Sequence, residues 1–133
     1  MNVRSAEFER AATLRASLRR FLRRSEQIIR RHGLTPERYD LMLAIRGRRD
    51  YGTRGVTVRE LAETLQLSPS SVTQLVRRSQ QIGLLRREVS PEDGRVNYLV
   101  LTEEGERRLS AAVAELRTDR RRLRAAVEDA GAQ

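Results

Sequence analysis

The apolar positions of this chain fall into distinct periods, and each change of period marks an element. Over residues 6–31, Phe8, Ala11, Ala12, Leu14, Leu18, Phe21, Leu22, Ser25, Ile28 and Ile29 recur at spacings of three and four, which predicts a long amphipathic helix with Gly33 just past its end. Thr35 then caps a short helix over 36–45 that has Pro36 first and buries Leu41, Met42 and Ile45. Thr57 and Glu60 stand at capping-box spacing, so a third helix begins there and carries Leu61, Ala62 and Leu65. Ser68-Pro69 starts a fourth at once, with Val72, Leu75, Val76 and Ile82 apolar and Gly83 after it. Two capped helices joined by so short a turn match a helix-turn-helix, with the second as recognition helix.

Residues 84–89 and 96–101 alternate or run apolar as strands do, and 90–95 between them is turn-rich, so a hairpin follows the recognition helix as a wing. The alternation in the second strand predicts one face on the helices and the other partly exposed. Over 103–127, Leu109, Val113, Leu116, Leu123 and Val127 form the stripe of a last long helix, which Arg120 interrupts. Arg120 is expected to snorkel or to meet Asp119 or Glu115 of a second copy. The fold class is mainly α with a small β-hairpin wing. Residues 35–101 form the winged lobe of a single domain, and 5–32 and 103–128 are long helices whose stripes exceed the nearby core and so predict a dimer interface.

Advancing 100° per residue along the fourth helix separates its faces. Val72, Leu75, Val76, Ser79 and Ile82 lie inward, while Ser70, Gln74, Arg77 and Gln81 project outward with Thr73 at the edge, flanked by Ser71 and Arg78. That outward face has no carboxylate, whereas a merely solvated helix face usually carries Glu or Asp. Glutamine can pair bidentately with adenine and arginine with guanine, so the set suits major-groove reading. At the wing tip Asp93 stands two residues from Arg95, close enough to hold its guanidinium extended by a forked pair. An extended arginine suits the negative potential of a narrow minor groove.

Several of these runs together resemble the MarR family of winged helix-turn-helix regulators. They are Leu61-Ala62 to Leu67-Ser68-Pro69-Ser70-Ser71-Val72-Thr73, then Ile82-Gly83-Leu84-Leu85-Arg86-Arg87, Pro91-Glu92-Asp93-Gly94-Arg95 and Leu101-Thr102-Glu103-Glu104-Gly105. Leu34-Thr35-Pro36-Glu37-Arg38-Tyr39 resembles the start of that family's second helix, and the Asp-x-Arg wing signature is the most specific element. The resemblance implies a homodimeric repressor on a pseudo-palindromic operator, with recognition helices in major grooves, wing arginines in the minor groove, and release by a small-molecule effector. It also implies an effector pocket where the dimer helices meet the DNA-binding lobe. Phe21, His32, Tyr39 and Met42 are the candidate lining residues there, each equally suited to a core. The family continues into a further helix where this chain has only 127–133 after the run Arg120-Arg121-Arg122-Leu123-Arg124, which implies a smaller dimer interface. That run either complements the dipole at a helix end or approaches DNA flanks.

Charge adds to this picture without deciding it. The net charge is +9 and the pI about 11.4, a balance that attracts a phosphate backbone but would also suit an anionic membrane surface or ribosomal RNA. All 27 basic residues are arginine, which codon bias explains more simply than function, although each exposed guanidinium is a competent phosphate contact. The basic, glycine-rich stretch 46–55 lacks the Walker spacing and reads as a flexible linker that brushes phosphates.

Candidate chemistry is sparse. There is no cysteine, which excludes thiol redox sensing, disulfides and thiolate metal sites, and leaves Met1 and Met42 as the sulfur atoms. The one histidine, His32, precedes Gly33 at a helix C-terminus, where the dipole favours a cation, and one imidazole cannot build a typical metal site. Glu92-Asp93 and Glu103-Glu104 sit at a turn and a helix N-terminus, where acids are structurally favoured. No nucleophile and base are spaced for catalysis, so the expectation is a non-enzyme with no cofactor and no metal. No segment approaches about 18 uninterrupted apolar residues and the charged N-terminus has no signal pattern, so the expected place is the cytoplasm, on the nucleoid of a bacterium or archaeon. Two further readings stay open: a non-specific architectural DNA-binding protein, and a winged-helix protein-interaction module that uses 84–101 as its edge.

Overall fold

The computed structural model describes residues 1–90, 93–94 and 97–131. In chain order the elements are α1 (Ser5–Arg31), α2 (Pro36–Arg46), α3 (Val58–Leu65), α4 (Pro69–Gln81), β1 (Leu85–Val89), β2 (Asn97–Leu101), α5 (Glu103–Glu115) and α6 (Arg117–Ala130). The starts follow from the caps. Thr35 Oγ1 accepts from the Arg38 N–H, Ser68 Oγ from the Ser71 N–H, and Thr57 with Glu60 closes a full capping box. The stops of α1 and α4 share one geometry. Gly33 and Gly83 take φ of +76° and +79°, and the next residues, Leu34 and Leu84, return their N–H groups to Ile29 and Ser79. The six-residue bond and the left-handed glycine are the Schellman ending, which satisfies carbonyls a plain helix end leaves orphaned.

The core joins the C-terminal half of α1 to the winged lobe and α5. Ile28, Ile29, Leu34, Leu41, Met42, Ile45, Leu61, Val72, Leu84, Leu85, Leu109, Ala112 and Leu116 are all buried in one cluster. β1 and β2 pair antiparallel with Leu85 opposite Leu101 and Val89 opposite Asn97. Tyr98, Leu99, Val100 and Leu101 are all buried, so the expected half-exposed second strand is corrected. Its outer edge is covered from the 46–55 stretch, where Tyr51 Oη accepts the Leu101 N–H at 2.8 Å.

That stretch is pinned rather than flexible. Arg48 forms a two-pronged pair with Asp50 (2.9 and 3.2 Å) and reaches Glu60 at 3.0 Å. Arg46 stacks 4.6 Å over the Tyr51 ring and bonds Glu106 of α5 at 2.9 Å. Both arginines are therefore engaged by carboxylates and are not offered to phosphates. Replacing Tyr51 with phenylalanine should leave the Leu101 N–H without its acceptor. An unsatisfied buried donor costs about 1–3 kcal/mol, and the part-buried setting of Tyr51 puts the expected loss near 1 kcal/mol by urea denaturation. An unchanged midpoint would show that solvent replaces the bond.

Two expectations for the C-terminal region also change. The stripe over 103–127 is not one helix, because Leu116 leaves helical geometry at φ −86°, ψ 3° and separates α5 from α6. A separate helix thus does follow α5. Arg120 stays exposed, and its Nη1 donates to the Val113 carbonyl at 2.7 Å, one of the acceptors the break leaves open. Glu115 and Asp119 are held within the same chain. Glu115 bonds His32 Nε2 at 2.9 Å and pairs with Arg31, and buried Asp119 meets Arg24 Nε at 2.9 Å. The run 120–124 lies in the middle of α6, whose last turn has no basic residue, so its expected role of complementing a helix C-terminus is corrected.

Candidate nucleic-acid interface

α4 stands on the surface by one face. Val72, Val76 and Ser79 are buried and Leu75 half-buried, while Ser70, Ser71, Thr73, Gln74, Arg77, Arg78 and Gln81 are exposed. Ile82, expected inward, is 49 % exposed. It occupies the C-cap, where the chain has already left the helix and the 100° projection no longer places it. Ser79 is accommodated in the core because its hydroxyl donates to the Leu75 carbonyl at 2.8 Å.

The hydroxyls of the outward face are partly committed. Thr73 Oγ1 donates to the Pro69 carbonyl at 3.0 Å, which leaves it lone pairs and a methyl group to present, and a methyl suits the thymine C5 methyl. Ser71 Oγ receives the Ser68 hydroxyl at 2.9 Å and so keeps its own proton for an acceptor outside. Gln74, Arg77 and Arg78 have no partner among the described residues, so their donors are available to a ligand without breaking an internal bond.

The structure adds two residues to this face that the helix projection missed. Arg87 of β1 and Gln80 of α4 line a cavity of about 130 Å³ together with Thr73, Arg77, Val76, Leu61 and Leu99. Arg87 follows buried Leu85 by two residues, so strand alternation alone would have placed it on the side of α3 and α4. On the other strand face, Arg86 pairs with Glu88 and holds its carboxyl below the ordinary value; Tyr98 Oη also donates to Glu88 at 3.3 Å. Asp93 is half-buried, and its N–H donates to Ser90 Oγ at 3.4 Å. Arg95, with Pro91, Glu92 and Val96, lies outside the described residues, and so does its expected pairing with Asp93.

The four candidates for an effector pocket are dispersed. Tyr39 and Met42 are core side chains, and burial raises the Tyr39 phenol above its ordinary pKa. His32 caps α1 and is bonded to Glu115, whose carboxyl that bond lowers. Phe21 lines a cavity of about 270 Å³ between α1 and α6, with Ser17, Arg20, Arg24, Asp119, Arg122 and Leu123. Among the described residues no group of three or more histidines or carboxylates is placed to hold a metal ion, and no helix is long and apolar enough to cross a membrane.

A helix-turn-helix made by α3 and α4, followed by a two-stranded hairpin that leads back into a long helix, is a winged-helix fold. Solved structures of the same kind agree. A MarR family protein from Bacillus stearothermophilus is 28 % identical with a TM-score of 0.71, over 90 % of this chain and 79 % of that one. CouR from Rhodococcus jostii, solved with p-coumaroyl-CoA, is 28 % identical with a TM-score of 0.58, over 80 % and 66 %. MepR from S. aureus, solved as a DNA complex, shares the fold at 20 % identity and a TM-score of 0.62, over 76 % and 70 %. No curated protein matches the chain. The sequence profile of the MarR family matches residues 32–96, from the end of α1 to the wing. The chain is thus similar to the MarR family over its winged lobe.

Proposed function

We propose that the protein is a homodimeric transcriptional repressor, not an enzyme, that binds a pseudo-palindromic operator in double-stranded DNA and is released by a small anionic ligand. The observation that carries this reading is the outward face of α4, where Ser70, Ser71, Thr73, Gln74, Arg77 and Arg78 stand exposed with no carboxylate among them. A helix enters a major groove with such side chains foremost, and Arg87 extends the basic face from the hairpin. Asp93 and Arg95 serve the wing contact in the minor groove. The DNA complex of MepR supports the same use of the fold.

Dimerisation is supported by what α1 and α6 leave uncovered. The two helices pack on each other within one chain, yet Phe8, Leu22 and Val127 remain 66, 56 and 53 % exposed. Burying such side chains is worth roughly 1.5–3 kcal/mol each when complete, and a second copy offers the same apolar stripe. Release by a ligand is supported by the complex of CouR with p-coumaroyl-CoA. In this chain the Phe21 cavity, with Arg20, Arg24 and Arg122 around it, suits a carboxylate better than a cation. The reading as a protein-interaction module has little support, because the described part of β2 is buried and offers no apolar edge.

A selection from random-sequence duplexes, followed by titration of the enriched and a scrambled duplex at two salt concentrations, tests the proposal. A preference of about a thousandfold, within the range of specific binders, is expected. If no motif is enriched, the architectural reading replaces this one.

A further inference from the structure

The cavity beside Phe21 is built by two helices and is unbalanced in charge. Ser17, Arg20, Phe21 and Arg24 of α1 face Asp119, Arg122 and Leu123 of α6 across about 270 Å³. Three arginines stand against one carboxylate, which leaves two positive charges of the lining uncompensated. Arg24 is the arginine that has a carboxylate partner, since its Nε meets buried Asp119 at 2.9 Å. Arg20 donates to the Ser17 hydroxyl at 3.4 Å, and Arg122 has no partner among the described residues.

This cleft does not compete with the dimer interface. At about 100° per residue, Ser17, Arg20 and Arg24 stand roughly 120–180° around α1 from exposed Phe8 and Leu22, and Arg122 stands about 140° around α6 from exposed Val127. The arginines of the cleft therefore point away from the apolar patch that a second copy covers. The volume is at the small end of ligand sites, which run from about 300 Å³. One ring with its charged substituents fills it, and a nucleotide conjugate exceeds it. Phe21 and Leu123 supply apolar walls, and guanidinium planes stack on aromatic faces.

We infer that the cleft between α1 and α6 takes an aromatic dianion, a single ring carrying two negative charges, with Arg20 and Arg122 binding those charges from opposite walls. The inference rests on the reading of the protein as a ligand-released repressor, and narrows its ligand from any small anion to this class. A monoanion compensates one of the two free arginines and leaves the other; a dianion compensates both. Guanidinium pairs with carboxylate and with phosphate are both commonly two-pronged, so two carboxylates or one phosphate supply the required charge. Because Arg24 also holds Asp119, an anion entering the cleft acts on the ion pair that ties α1 to α6.

The test is calorimetric titration of the full chain with isophthalate, phenyl phosphate, benzoate and inorganic phosphate at about pH 8, where phenyl phosphate is a dianion because its second pKa is about 6. Isophthalate and phenyl phosphate are expected to bind at least about tenfold tighter than benzoate, which lacks the second charge, and than inorganic phosphate, which lacks the ring. Comparing the first two tells paired carboxylates from a phosphate. Arg20→Gln and Arg122→Gln replace exposed side chains and keep helix propensity, so the melting temperature should hold. In each variant the preference for the dianions over benzoate should fall to about twofold or less, one charged contact having been removed. The inference is overturned if benzoate or inorganic phosphate binds as tightly as the dianions, if no probe binds, or if both variants keep the wild-type preference. Release of the enriched duplex is measured apart from these titrations. Failure of the repressor reading would show there, as no enriched motif or no release, with the preference for dianions intact.

Discussion

Gly105→Ala is expected to destabilise the protein by roughly 3 kcal/mol, although the same change in an exposed helix interior would stabilise it by about 1 kcal/mol. Gly105 is buried in the first turn of α5, and a Cβ there would fall well inside van der Waals contact of the Leu84 carbonyl oxygen. It would also lie 3.1 Å from the Leu84 carbonyl carbon and 3.3 Å from Met42 Cε. A methionine end can swing aside. A carbonyl cannot, and this one is held by the Thr102 N–H, which bonds Leu84 O at 3.1 Å, while the Thr102 hydroxyl holds the preceding Gly83 O. Overpacking costs about 1–3 kcal/mol where side chains can yield, and more where backbone must move, so the clash outweighs the propensity gain. Thermal denaturation should show a fall of roughly 10 °C, given about 4 °C per kcal/mol for a domain of this size. A neutral or raised melting temperature would mean that α5 and the start of β1 can separate freely, which the shared Leu84 hydrogen bond argues against.

Gln74→Ala and Arg77→Ala are expected to weaken operator binding by about 1–3 kcal/mol each, or roughly 5- to 150-fold, if each makes a bidentate base contact. Neither should change stability measurably, because both side chains are exposed and make no internal bond, and alanine is the better helix former. The informative readout is competition between duplexes substituted one base pair at a time. Loss of discrimination at one position assigns that base to the mutated residue. Uniform weakening of all sequences, with the salt slope reduced by about 1, would assign Arg77 to phosphate alone. The same experiment on Arg87→Ala asks whether the hairpin arginine belongs to the interface that the cavity beside Arg77 suggests.

Arg107 and Arg108 both bond Glu104 and hold its carboxyl down to about 2. The capping Thr102 and the acids of the first turn belong to the same short stretch that contains Gly105, so the start of α5 is set by several mutually supporting contacts rather than by propensity.

What the sequence determined by itself was whatever depends on neighbours within about four residues. The caps at Thr35, Thr57 and Ser68, the glycine endings after α1 and α4, and the polar outward face of α4 could all be read from spacing, because capping bonds and helix periodicity are local. The resemblance to the MarR family was legible for the same reason, being carried by short runs. What only the tertiary structure decided involves partners far apart in the chain. The apolar stripe of 103–127 continues in phase through Leu116, so nothing periodic announces the break between α5 and α6 that Arg120 caps. The basic stretch 46–55 looks free until Glu60, Glu106 and Leu101 arrive to hold Arg48, Arg46 and Tyr51. The outer edge of β2 is closed by Tyr51, whose hydroxyl takes the Leu101 N–H, and Gly105 is required because Leu84, distant in sequence, passes against it. Such contacts are chosen by packing and charge compensation between segments, which a period along one segment does not contain.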